Sequence, residues 1–209
     1  MKINAKEFDQ RARTLFKPIY PVIAQQVLDY TGISEGVCLD IGCGGGHLGI
    51  ALAQQGDLSV RFVDQSEEML AIVRANLAEA GLTQRGDTIL ADVERMPLPD
   101  NCANLAVSRG SIFFWEDLVA AFSEVHRVLA PGGRSYIGGG FGSARMRGEI
   151  GRQLEATAEG AEKWRGLVKR NMSPEMLHKF EDALHAAAIP YDLVRNPEVG
   201  LWIVIRKEA

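Results

Sequence analysis

The feature that most limits how this chain can fold is a run of glycines set between an apolar stretch and an amphipathic one. Val37 to Ile41 is continuously apolar apart from Asp40, and it opens into Asp40-Ile41-Gly42-Cys43-Gly44-Gly45-Gly46-His47-Leu48-Gly49. Five of the eight residues from Gly42 to Gly49 are glycine, more than a tight turn requires. A strand that runs through such a loop into a helix aims backbone N–H groups at the helix start, and the missing Cβ atoms let a ligand come close. The spacing fits two registers. Gly42, Gly44 and Gly46 read as GxGxG, whereas Gly44, Gly46 and Gly49 read as the GxGxxG of a dinucleotide fold.

Around this loop, strand and helix patterns alternate, which predicts an α/β fold with a mainly parallel sheet. A helix is expected over His47 to Gln55. A second strand, with Val60, Phe62 and Val63, ends at Asp64, and Ser66 caps a helix with Met69, Val73 and Leu77 inward and Gly81 at its end. Ile89 to Ala91 and Leu105 to Val107 read as strands three and four. Asp117 opens a helix with Leu118, Phe122, Val125 and Leu129 on one face, stopped by Pro131-Gly132-Gly133. Arg134 to Gly140 is the fifth strand, and Ser173-Pro174-Glu175 starts a late helix. Tyr191 to Val194 and Leu201 to Ile205 are joined by too few residues for a parallel crossover, so the last strand is expected to be antiparallel. At 209 residues the chain fits one domain, 1–209, with a helical cap over 1–30 and a variable helical segment over 143–171.

Composition removes several classes of function. The longest apolar run, such as Leu201 to Ile205, is far short of a membrane span, and Met1 to Phe16 has no apolar centre of a secretory leader. Cys38, Cys43 and Cys102 are odd in number and lack CxxC spacing, which speaks against a disulfide framework or a zinc site and fits a cytoplasmic location. A net charge of −4 disfavours a nucleic-acid partner. Three acidic residues, Asp40, Asp64 and Asp92, stand at strand ends around the glycine loop. Asp64 suits ribose hydroxyls in either register, but Asp40 would sit poorly beside a pyrophosphate, so the set favours a ligand with positive groups.

In its residues the chain resembles the class I S-adenosylmethionine-dependent methyltransferases, in the branch of small-molecule enzymes of the ubiquinone and menaquinone type. VCLDIGCGGGHLGIAL is similar to the first motif of that family, VRFVDQSEEML to the second, ILADVERMPLPDN to the adenine-binding segment and EVHRVLAPGGRSYI to the RVLKPGG segment. The resemblance implies a Rossmann-like seven-stranded sheet with an antiparallel last strand and helices on both faces. It also implies that Asp40, Gly42 and Gly44 surround the methionine part of S-adenosylmethionine and that Asp64 holds the ribose. Gln65 and Met69 would flank the adenine, Asp92 would take its amino group and Val93 would meet it through backbone. The Ser108 carbonyl, just after the fourth strand, would meet the cofactor amino group, and Tyr20 the carboxylate.

The reaction implied is in-line methyl transfer to a small-molecule acceptor, for which alignment and water exclusion suffice when the nucleophile is already active. No catalytic residue is assigned, and no metal is expected. Ser108 to Asp117 departs from the histidine-containing segment of many relatives, leaving Arg109 and Trp115, with Phe113 and Phe114, as candidates for contact with an anionic or aromatic substrate. Arg109 could instead pair with Glu116 or Asp117. Residues 143–171, entered through Gly138-Gly139-Gly140 and Gly142, which read as either a flexible hinge or a close-approach site, are expected either to close over the substrate or to be a solvated helical face. The competing readings are a protein that binds S-adenosylmethionine or S-adenosylhomocysteine without catalysis, and a nicotinamide-dependent oxidoreductase.

Overall fold

Residues 4–171 and 173–208 are described by the computed structural model, so Met1 to Ile3 of the expected helical cap lie outside them. The chain runs α1 (Ala5–Arg11), a π-helical turn (Ala12–Phe16), α2 (Ile19–Thr31), β1 (Glu35–Ile41), α3 (His47–Gln55), β2 (Asp57–Asp64), α4 (Glu67–Glu79) and β3 (Gly86–Leu90). It continues through β4 (Ala103–Arg109), a 3₁₀ turn (Ile112–Phe114), α5 (Leu118–Val128), β5 (Leu129–Gly139), α6 (Ala144–Leu154) and α7 (Ala158–Asn171). The last elements are α8 (Pro174–Ala186), β6 (Tyr191–Asn196) and β7 (Gly200–Ile205).

Consecutive strand residues face opposite sides of a sheet, and here both sides are apolar. In β1 Leu39 and Ile41 join one buried cluster while Cys38 joins the other; in β7 Leu201, Ile203 and Ile205 divide from Trp202 and Val204 in the same way. Such strands need cover on both faces. The inward stripes of α2, α3 and α4 supply it on one face, and those of α5 and α8 on the other. The expected caps form: Ser66 accepts from the Met69 N–H, Asp117 from Ala120 and Ser173 from Met176.

The seven strands stand in the order β3-β2-β1-β4-β5-β7-β6, and β7 is antiparallel to both its neighbours. Strand order reverses between β1 and β4, which opens a crevice at their carboxyl ends, the usual ligand position in such sheets. One sequence expectation needs correction. Leu129 and the Pro131-Gly132-Gly133 turn belong to β5 and not to the end of α5, because Leu129 is fully buried and pairs with Ala103 at a register shift. Of the two readings of Gly138 and Gly140, the close approach is the one that holds: a Cβ on them would collide with the Leu201 and Val199 carbonyls, so they are glycine to let the chain in and before β7 approach.

Candidate active site

Every loop at the carboxyl ends of β1, β2, β3 and β4 contributes to one cleft of about 1480 Å³. That exceeds the roughly 300–1,000 Å³ of a pocket for a single small ligand, and leaves space for two molecules side by side. Its first half is built on the glycine loop. Gly42 and Gly44 have φ of +61° and +53°, a left-handed backbone that favours glycine. The Gly42 and Cys43 N–H groups donate to the Val63 carbonyl at 2.8 and 3.1 Å, which stitches the loop to β2. Asp64 then accepts from the Gly44 N–H through Oδ2 and from the Ser66 N–H through Oδ1, both at 2.9 Å. Each of its oxygens keeps a lone pair for a further donor, and burial raises its pKa.

Tyr20, Gly42, Gly44, Asp64, Gln65, Met69, Asp92 and Val93 all line this cleft, together with Arg109 and Trp115. The side chains of Asp40 and Ser108 do not line it. Asp40 is 2% exposed beneath the loop, where its Oδ2 accepts from the Gly49 N–H at 2.9 Å. Burial pushes its pKa up to about 7, with the Gly49 N–H opposing the rise and the Asp64 charge adding to it. Ser108 lies inside β4 and not just past it, because the strand pairs with β5 as far as Arg109. The Ser108 and Ser111 hydroxyls are 2.5 Å apart, and Ser111 donates to the Ile41 carbonyl while accepting from the Trp115 indole N–H.

The second half of the cleft is aromatic. Phe113 packs on Phe180 and Trp115 on Phe122, each pair with centroids 6.0 Å apart, so these two rings serve the core and the cleft wall together. Phe114 is 68% exposed at the rim. Arg109 does not pair with Glu116 or Asp117; its Nε donates to the Gly140 carbonyl at 3.1 Å. The opposite wall comes from the expected helical cap and from residues 143–171, which the sequence left open between a lid and a solvated helical face. Phe8, Leu15 and Phe16 face the cleft from α1 and the π-helical turn, and Trp164, Leu167 and Val168 from α7. The apolar spacing of Phe8, Ala12, Leu15, Phe16 and Ile19 was the signal that could have found the first group.

His47, at the start of α3, is a structural residue. Its Nε2 lies 2.8 Å from Asp9, its ring stacks on Tyr20 at 5.2 Å, and burial lowers its pKa against the pull of Asp9. Asp9 also accepts from Asn76 and Arg13; burial alone would raise its pKa, but these partners with His47 bring it below the usual value. This cluster holds α1 across the glycine loop. No group of three or more potential metal ligands occurs among the described residues.

A doubly wound sheet with a glycine loop, an acidic residue at the end of the next strand and an adjoining aromatic space defines a class of α/β folds that bind a nucleoside-containing cofactor. Known proteins narrow it further. The family described as "Methyltransferase domain" matches residues 38–133. The crystal structure of a Methanococcus maripaludis protein, assigned as an S-adenosyl-L-methionine-dependent methyltransferase, is 40% identical with a TM-score of 0.92, covering 100% of this chain and 98% of that one. An uncharacterized methyltransferase of Mycobacterium bovis is 40% identical over 96 residues, 46% of this chain and 36% of its own length. A ubiquinone biosynthesis O-methyltransferase of Pseudomonas paraeruginosa is 28% identical over 125 residues, 58% of this chain and 53% of its own. This chain therefore spans half or less of most such curated relatives. It belongs to the S-adenosyl-L-methionine-dependent methyltransferase family, whose cofactor is S-adenosyl-L-methionine. Gly42, Gly44 and Asp64 all line the cleft, and Asp64 keeps lone pairs for further donors, which fits that group.

Proposed function

We propose that this protein transfers a methyl group from S-adenosylmethionine to a small-molecule acceptor held in the same cleft. The observation that carries the reading is the joining of the glycine cradle and Asp64 to an aromatic space in one cavity large enough for both molecules. When bound, the cofactor supplies an electrophilic sulfonium methyl, whose bonding electrons stay on sulfur as the acceptor's lone pair forms the new bond. Gly42 and Gly44 would admit the methionine part, with Asp40 beneath them and the Ser108 carbonyl and Tyr20 at its amino and carboxylate ends. Asp64 would accept from the ribose hydroxyls, Gln65 and Met69 would flank the adenine, and Asp92 and the Val93 backbone would meet its polar edge.

No histidine lines the cleft among the described residues. In this proposal the chain contributes alignment and exclusion of water around an acceptor that is already nucleophilic. Residues 143–171 serve in this proposal as a lid, and the acceptor has anionic or aromatic character that suits Arg109 and Trp115. The match to a ubiquinone biosynthesis enzyme supports a place in the quinone-type branch, and three free cysteines suit a cytoplasmic location.

Calorimetry with S-adenosylmethionine, S-adenosylhomocysteine and NADH tests the reading. The two adenosyl ligands should bind and NADH should not; binding of NADH alone would sink it. Asp64→Ala should weaken S-adenosylhomocysteine by about tenfold or more, the scale of a lost charged hydrogen bond, and unchanged binding would remove the ribose assignment.

A further inference from the structure

Arg109 is the cation in this molecule whose surroundings least explain it. Arg13, Arg74, Arg85, Arg127 and Arg206 each pair with a carboxylate. Arg109 has no such partner among the described residues, although it is partly buried. Its guanidinium carbon lies 5.3, 5.6 and 5.4 Å from the ring centroids of Phe16, Tyr20 and Phe141. Three rings offset part of the cost of desolvating a cation. They do not replace an anion, and burial lowers the pKa of Arg109 despite the Tyr20 hydroxyl beside it.

Nε is committed to the Gly140 carbonyl and one more donor can face Tyr20, which leaves the rest of the fork for a ligand in the cleft. We propose that Arg109 binds the carboxylate of the methyl acceptor, so that the acceptor is a small organic acid whose apolar or aromatic body lies along Phe113, Phe141 and Trp164. This rests on the methyltransferase reading above.

The site borders the place given above to the cofactor's own carboxylate at Tyr20 and extends from there away from the glycine loop. Arg109 ends β4, one strand beyond β1 on the side away from Asp64 of β2, and its Nε reaches across to the Gly140 carbonyl just past β5. Its cage comes from the π-helical turn, α2 and Phe141, which packs on Trp164 of α7 at 5.2 Å. All of these lie outside residues 38–133, the part shared with the family description. The planar fork of Arg109, held between flat rings, matches a carboxylate in shape and charge.

The test uses protein saturated with S-adenosylhomocysteine, titrated by calorimetry with benzoate, phenylacetate and hexanoate and with the primary amide of each. At least one acid should bind about tenfold or more tightly than its amide. Arg109→Gln should erase that preference and Arg109→Lys should keep part of it, with S-adenosylhomocysteine affinity held within about threefold in both, which also reports that they fold. The assignment is overturned if wild-type protein prefers no acid to its amide. It is equally overturned if Arg109→Gln weakens S-adenosylhomocysteine about tenfold or more and Arg109→Lys restores it, because the bound carboxylate is then the cofactor's. Failure of wild-type protein to bind S-adenosylhomocysteine at all would instead remove the methyltransferase reading itself.

Discussion

The two walls of the cleft are built on different physical terms. On the cofactor side, six of the nine residues of α3 are buried, and the loop before it is fastened to β2 by backbone and carboxylate hydrogen bonds. On the acceptor side, α6 buries Ile150 and Gly151 and α7 only Ala161, while their charged residues form exposed pairs such as Lys163 with Glu159 and Arg145 with Glu149. Exposed pairs of this kind add little stability. A wall held by few apolar contacts opens at low cost, which suits a side that must admit and release a substrate.

The largest expected break in that contrast is Gly49→Val. Even a single added carbon would meet Phe62 at 2.5 Å and Asp40 and Val60 at 2.9 Å, so overpacking should cost about 3 kcal/mol in urea unfolding. A loss below about 1 kcal/mol would mean the cofactor wall is softer than its packing implies. Asp40→Asn comes next and concerns charge instead of volume. The folded pKa of Asp40, about 7, is above its usual 3.8, so the folded state holds the extra proton and wild-type stability is lost as pH rises between these values. Asp40→Asn should therefore gain on wild type across that window, by about 1.4 kcal/mol for each pKa unit of the rise, and hold a constant advantage above it. His47 and His126, whose pKa values burial lowers, act in the opposite sense, so the difference between the two proteins is the quantity to follow. An advantage that does not change with pH would remove the buried-carboxyl account.

Trp164→Ala probes the other wall. It removes the ring that packs on Phe141 and over Gly151, and should cost about 1–2 kcal/mol for a partly buried aromatic. The loss should appear chiefly as faster proteolysis between α6 and α7, with S-adenosylhomocysteine affinity unchanged. A drop in cofactor affinity would show that the two walls are coupled.

The same division explains what was readable from residues alone. Gly42 to Gly49, Asp64, Ser66 and Asp117 act through local backbone geometry, so the loop, the caps and most strand ends follow from short-range rules. Phe8, Phe16 and Trp164 reach the cleft through tertiary packing of distant helices, and no spacing rule relates them to Arg109. Ser108 was misplaced for a related reason: the extent of β4 is set by its pairing with β5, not by its own pattern. Gly138 and Gly140 read equally as a hinge or a close approach in sequence, because the neighbour that requires them lies about sixty residues further on.

The cluster that ties Asp9 to His47, Asn76 and Arg13 lays α1 over the glycine loop and brings Phe8 against Gly44. A molecule seated on that loop would leave only as quickly as this clasp loosens. Changes at Asp9 or Asn76 would thus be felt first in residence time, and turnover could be paced by the departure of the spent cofactor without any alteration in the chemistry.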